Sequence, residues 1–240
     1  MQTVASRQGG RPPLIAVEDV VRAGRELGMQ RLSVNAVAAR LGVSATALYR
    51  HVASRWELER LVGESLLAEL ELRDDPASPT EDTEPHLLSF ALQLRDFTAG
   101  HPGLASYLQV LFPRGDAGAR LLATEVGALG RRGYSPDAAV VLSSAVATLA
   151  ISLAAREENN ANATAGDHAG GFAVERDAAA ARLAGDARLG AAHAGLPQVS
   201  DVEFVRLLLA ASIRGLVAAI PPGRSIREAM ADLGAAGEDR

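Results

Sequence analysis

From Val17 to the end of this 240-residue chain, apolar residues recur three and four positions apart. That spacing stacks them on one face of an α-helix, and the same period carries through nearly every segment. Composition points the same way. Alanine, the strongest helix former, fills 47 positions, and aromatic residues, which favour strands, make up only 4%. The expected fold class is therefore all-α. With 48% hydrophobic residues the chain can bury a real core, as one large domain or two small ones.

The chain has no cysteine, which excludes disulfide scaffolds, thiolate metal sites and cysteine nucleophiles. No N-terminal apolar run resembles a signal peptide. No window of 18 residues is free of charged and polar groups in the way a membrane span requires. These features lead to the expectation of a soluble, cytoplasmic protein with no membrane partner.

The net charge of −5 conceals an asymmetry. Residues 1–60 carry nine arginines against five acids, and residues 61–240 carry 15 against 24. A basic head on an acidic body suits a protein whose head alone meets a polyanion. Chance fluctuation of charge along the chain gives the same numbers.

Residues 1–13 have Gly and Pro pairs and no period, and read as a mobile arm carrying Arg7 and Arg11. A head follows over 14–72. Its first helix covers Val17 to Leu27 and stops at Gly28. A second covers Val34 to Leu41, capped by Ser33 and stopped by Gly42. A third covers Ala45 to His51 after Ser44. A fourth starts at Ser54, whose spacing to Glu57 makes a capping box, and runs to about Glu71. Residues 73–85, rich in proline and acids, read as a linker to a body over 86–240. Body helices are expected at 86–99, 103–112, 117–132, 136–156 and 201–219. Ser135 precedes a proline at a first helical position, and Ser200 with Glu203 and Ser225 with Glu228 form further capping boxes. Residues 157–172, low in complexity, read as a mobile loop.

Two short helices joined by Gly42-Val43-Ser44 have helix-turn-helix spacing. Ala38, Leu41, Val43, Leu48 and Val52 are placed to pack them together. The second then has a free face to lay in a DNA major groove. The residues sharpen this. Leu41-Gly42-Val43-Ser44, then Ala47-Leu48-Tyr49-Arg50-His51-Val52, then Arg55 and Leu58, resemble the DNA-binding domain of the tetracycline-repressor (TetR) family. Arg11-Pro12-Pro13, the helix ending at Gly28, and Leu32-Ser33 are similar to that family's arm and first helix. In the body the resemblance rests on His101-Pro102, the length and the helical layout. It implies a dimeric transcriptional regulator, usually a repressor, released from double-stranded DNA by a small molecule.

The resemblance places Asn35, Thr46, Ala47 and Arg50 at base-facing positions. Arg50 can fork onto guanine, and Thr46 and Ala47 offer methyls to thymine. It places Ser33, Ser44, Tyr49, His51 and Arg55 near phosphate, where hydroxyl, ring N–H and guanidinium groups serve as anchors. For the two serines, helix capping alone is the competing reading, and for Tyr49 it is half-buried packing. Ala45 stands where some members carry a polar residue. Trp56 reads as packing.

In the body, His86, Phe90, Gln93 and Phe97 share one helical stripe, Leu122, Glu125, Val126 and Leu129 a second, and Val141, Ser144, Ala145, Thr148 and Ser152 a third. Such stripes fit a ligand cavity in which a few polar atoms orient the ligand, or a plain core with incidental polar residues. The nominated lining is Phe90, Gln93, Phe97, Leu122, Glu125, Leu129, Val141, Ala145 and Thr148. Glu125, a carboxylate amid leucines, must be paired, hydrated, protonated or near a cationic ligand. The chain has no phosphate-binding glycine loop, nucleophile elbow or histidine pair at metal spacing, so neither enzyme nor metal site nor cofactor is expected.

One short recognition helix per protomer needs a symmetric partner to read a palindromic operator. The helix at 201–219 is apolar almost all round, so it should be covered on two sides. Val205, Leu208, Ala211, Ser212, Gly215 and Ala219 are the expected interface of a homodimer, shared with the helix at 136–156. The combined expectation is a dimeric DNA-binding regulator with a small, mainly apolar effector. The alternative is a dimeric small-molecule binder without DNA function.

Overall fold

The computed structural model describes residues 15–74, 83–166, 169–197 and 199–238, in which every regular element is helical and no strand occurs. The expected arm at 1–13 lies outside them. The chain divides into two compact units at Val62 and Gly63. That division falls inside a helix, upstream of the expected linker. Of the expected linker, residues 75–82 lie outside the described range and 83–85 belong to a helix.

The first unit holds α1 (Val17–Leu27), a single 3₁₀ turn at Met29–Arg31, α2 (Val34–Leu41), α3 (Ala45–Leu48) and the start of α4 (Arg55–Leu67). Both short helices begin as the sequence suggests. Ser33 accepts from the Ala36 N–H and Ser44 from the Ala47 N–H, each at 3.1 Å. Gly42 ends α2 with φ +68°, and the Val43 N–H returns to the Ala38 carbonyl at 2.9 Å. A left-handed residue is required there, and only glycine adopts it without strain. α3 is shorter than expected. It closes at Leu48, and residues 49–51 form a turn in which the Arg50 and His51 N–H groups bond three residues back. At the start of α4, Ser54 caps the Glu57 N–H at 3.1 Å, but the Glu57 carboxylate accepts from the Ala53 N–H at 2.6 Å, one residue outside the expected box.

Val20, Val37, Ala38, Leu48, Val52, Leu58 and Val62 form the core of this unit, while Leu41 and Val43 are half-buried. The tightest approach is at Gly24, where a Cβ would stand 2.4 Å from Cγ2 of Val62.

The second unit contains the end of α4, α5 (Thr83–Ala99), α6 (Leu104–Val110), α7 (Asp116–Arg131), α8 (Pro136–Thr164), α9 (Ala169–Gly185), α10 (Ala187–Ala194), α11 (Asp201–Ala219) and α12 (Ile226–Glu238). α8 is its axis and packs against α5, α6, α7, α9 and α11. Contrary to the expectation that no window of 18 residues suits a membrane span, it is among the described helices the one long and apolar enough to cross a membrane by length and composition, its serines and threonines being too few to lower the hydropathy. Half of its most apolar stretch is buried within the unit, as a core helix requires.

The expected loop at 157–172 is instead helical as far as Thr164. No glycine or proline stands between Pro136 and Gly166 to stop the helix. Glu157 pairs bidentately with Arg95 at 2.7 and 2.8 Å, and Glu158 accepts from the Gly103 N–H at 2.8 Å. α9 and α10 have no counterpart among the expected helices. Both capping boxes, Ser200 with Glu203 and Ser225 with Glu228, are formed. Pro136 does open α8, while the Ser135 hydroxyl donates to Asp137 rather than capping the backbone.

Gly24 separates two opposing effects. Alanine would gain about 1 kcal/mol of helix propensity. Its Cβ would meet a stiff, β-branched valine, and overpacking costs about 1–3 kcal/mol. Gly24→Ala should therefore lower the melting temperature. Gly127→Ala on α7, where the added Cβ meets only Arg131 Nη1 at 3.9 Å, should raise it.

Candidate functional site

In the head, Asn35, Thr46 and Arg50 are exposed and Ala47 is half-buried. Tyr49 is 52% exposed, which is more than a packing role requires. Ser44 is exposed, Ser33 and His51 are half-buried, and both serines are engaged as caps. Arg55 reaches Glu59 at 2.7 Å but keeps most of its side chain in solvent. A surface pair of this kind holds a guanidinium weakly and leaves it available to a stronger anion. Trp56, read from the sequence as packing, is 59% exposed. The surface around α3 thus displays hydroxyl, phenol and guanidinium groups, the donor types that duplex DNA accepts.

In the body, a cavity of about 280 Å³ opens among the end of α4, residues 70–72, α5, α6 with its following segment, α7 and α8. Of the nine nominated lining residues it gathers Phe90, Leu122 and Thr148. The other six lie elsewhere. Gln93 bonds the backbone of Arg73 in both directions, at 2.8 and 3.1 Å. Phe97 stacks on His101 with ring centroids 4.4 Å apart. Leu129 is fully buried in the core, Val141 is exposed, and Ala145 is half-buried off the cavity. The wall on α8 is Ser144, Ala147, Thr148 and Ile151, about one residue out of phase with the expected stripe.

The lining missed in the sequence is chiefly Leu67, Leu70 and Leu72 on one side and Val110, Leu111 and Phe112 at the mouth. The last three stay exposed because α6 ends at Val110, two residues sooner than its apolar run suggests. That unbroken run ahead of Pro113 was the available signal. No lining side chain is ionisable, and the polar ones are Gln109, Ser144 and Thr148.

Glu125 does not reach this cavity. It is 2% exposed, and its Oε1 lies 3.0 Å from Nε2 of His86. The other ring nitrogen of His86 lies 3.1 Å from Asp74. Asp74 also accepts from Arg132 at 2.8 Å and Arg131 at 2.5 Å. The pairing foreseen for a buried carboxylate is thus met inside the chain, with no cationic ligand needed. Among the described residues, no group of three or more His, Cys, Asp or Glu could hold a metal ion.

On α11, Val205, Leu209 and Ile213 face inward and are buried. Val205, nominated for an interface, therefore belongs to the chain's own core. Leu208 and Ala219 are half-buried, and Ala211, Ser212 and Gly215 are exposed beside the exposed Phe204 and Leu207.

A helix-turn-helix head followed by a helical body built on one long central helix defines a known class of fold. ActR from Streptomyces coelicolor, in a structure with actinorhodin, is similar over 87% of this chain and 99% of its own, with 22% identity and a TM-score of 0.69. A putative transcriptional regulator from the same organism is similar over 87% and 100%, at 24% identity and 0.59. A TetR variant from Acinetobacter baumannii AYE, in complex with minocycline, is similar over 84% and 96%, at 21% and 0.55. No protein-family model and no curated protein matches the chain. The fold is that of TetR-family regulators.

The Asp74 cluster has a pH signature. Hydrogen bonding from Arg132 foremost, with Arg131 and the charge of His86, lowers the Asp74 carboxyl from its ordinary 3.8 to about 2. The folded body then takes up this proton less readily than the unfolded chain. The carboxylate's stabilisation is complete above about pH 4 and disappears as pH falls towards about 2. Asp74→Asn should lower the urea midpoint at pH 6. The gap to wild type should hold at pH 5, begin to narrow near pH 4 and be clearly smaller at pH 3.

Proposed function

We propose that this chain is a homodimeric, sequence-specific DNA-binding regulator of transcription, acting in the cytoplasm as a repressor that a small neutral molecule releases. The observation that carries the reading is the head itself. A capped α2–Gly42–α3 unit leaves Thr46, Tyr49 and Arg50 on one solvent face. In this reading Asn35, Thr46, Ala47 and Arg50 face bases, and Ser33, Ser44, Tyr49, His51 and Arg55 face phosphates. A regulator, rather than an enzyme, also suits a cavity whose walls offer no acid, base or nucleophile beyond two hydroxyls and an amide.

The effector is proposed to be apolar and uncharged, with one or two groups able to bond Gln109, Ser144 or Thr148. An ion seated among those side chains would lose its water without gaining a counter-charge. The effector needs no cationic group for Glu125, because Glu125 pairs with His86.

Footprinting of the gene's own upstream region for a palindrome tests the core of the proposal. Arg50→Ala should cost about 1–3 kcal/mol on the protected site and relax preference at one base pair. Arg55→Ala should weaken cognate and random DNA alike and flatten the salt slope by about one. Equal losses on both DNAs from both changes would contradict the division into base reader and phosphate anchor.

The dimer is proposed to form through the outer stripe of α11, Leu208, Ala211, Ser212, Gly215 and Ala219, packed on its symmetry copy and on α8. Small residues there permit close approach of a second helix. An added Cβ at Gly215 meets nothing within 4 Å in the chain. Gly215→Arg should therefore leave the protomer folded, sediment as a monomer and fail to hold a palindromic site. A wild-type monomer at micromolar concentration would rule this interface out.

A further inference from the structure

The end of α4 and the start of α7 complete each other. α7 begins after Gly115, which has no side chain to cap it. Its free N–H groups are satisfied from another helix: Glu64 accepts from the Ala117 N–H at 2.8 Å and the Gly118 N–H at 3.1 Å. Those are the donors that a serine or aspartate at the cap would otherwise take. Arg120 on α7 reaches back to the carbonyls of Leu67 and Ala68, each at 3.4 Å. The joint leaves no spare room. A Cβ on Gly115 would stand 2.7 Å from the Glu64 carboxyl, and one on Gly63 would stand 2.5 Å from the Tyr107 ring. A carboxylate at a helix N-terminus makes charge-assisted bonds at the positive end of the helix dipole, so the closed joint resists opening.

This joint also sets the width of the cavity. Leu67 and Leu70 beside the end of α4 form one wall, and Leu121 and Leu122, one turn beyond Gly118, form another. With the joint made, the space is about 280 Å³. Pockets that enclose drug-sized ligands run to about 300–1,000 Å³. A larger ligand that extends inward, rather than out through the mouth at 110–112, must push these walls apart, and Glu64 then loses its two donors on α7.

We propose that Glu64 is the positioning residue through which α4 responds to an occupied cavity, its joint with α7 closed when the cavity is empty and open when a neutral apolar ligand is seated. The proposal rests on reading the cavity as the effector site. A ligand that must open the joint binds more weakly by the amount the joint resists. Removing the carboxylate should therefore tighten ligand binding. A residue that only supports the fold would loosen binding or leave it unchanged.

The test uses the full chain and Nile red, an uncharged dye that brightens in apolar surroundings. Ala147→Trp, which fills the cavity, should abolish its binding. Glu64→Ala should melt at a lower temperature yet bind the dye roughly tenfold more tightly. Adding Gly115→Ser to Glu64→Ala gives α7 a cap of its own in the space the glutamate vacated. That double variant should regain the melting temperature and keep the tighter binding. In hydrogen exchange the dye should speed the Ala117 and Gly118 amides of wild type and leave those of the double variant unchanged. If the dye binds in the cavity, but Glu64→Ala binds it no more tightly and the two amides do not respond, the role of Glu64 is refuted while the cavity stands. If the dye does not bind, or binds Ala147→Trp as well as wild type, the cavity reading falls and this inference falls with it.

Discussion

The body depends on how closely other helices can approach α8. Its inward face carries small side chains at five positions, Ala138, Ala139, Ser143, Ala150 and Ala154, with Leu142, Val146, Ile151 and Leu153 between them. Backbones separated by alanine can pack at short range and make many dispersion contacts at little cost in side-chain entropy. The Ser143 hydroxyl donates to the Ala139 carbonyl at 2.6 Å, so even the polar member of the face leaves no orphan group. The cavity follows from the same economy of volume. On the adjoining flank Ser144, Ala147 and Thr148 are too short to reach Phe90 and Leu94 across the gap. Space remains where a core of larger residues would have closed.

Much of this architecture was legible in the sequence. The bounds of α1, α2 and α11 follow from Gly28, from Ser33 with Gly42, and from the Ser200–Glu203 box, because start and stop signals act through local backbone chemistry. Residues 157–164 were misread because asparagine-rich composition suggests a loop, whereas the absence of any breaker decides the matter once Glu157 and Glu158 are anchored. Which face of each helix meets the cavity was legible only to within about one residue. Helical spacing fixes relative positions on a stripe, but a rotation of about 100° per residue moves a side chain from the cavity to the core or to solvent. Leu129 and Val141 show both outcomes. Leu70 and the lip at 110–112 were expected inside helices, but α4 closes at Leu67 and α6 at Val110, so Leu70, Leu111 and Phe112 meet the cavity from irregular backbone that helical spacing does not place.

Polar groups in the body mostly serve apolar ends. Gln93 takes both backbone groups of Arg73, and Asp74 is held by Arg131, Arg132 and His86. Between them they fix an irregular stretch whose neighbours, Leu70 and Leu72, are part of the cavity wall. In the head the arrangement is reversed. Apolar residues such as Leu48 and Val52 are buried so that the intervening polar ones stand outward.

The borrowed cap of α7 bears on how the body is assembled. A helix whose first donors are met by a residue more than fifty positions earlier has little reason to hold its first turn alone, since nucleation is costly and fraying begins at uncapped ends. Glu64 precedes Ala117 in the chain, so during synthesis the cap is made before the helix that needs it. The first turn of α7 should then be among the last parts of the body to become ordered, formed on docking against α4. A late, non-local contact of this kind makes folding of that corner all-or-none, with few partly built states in which Leu121 and Leu122 are left facing water.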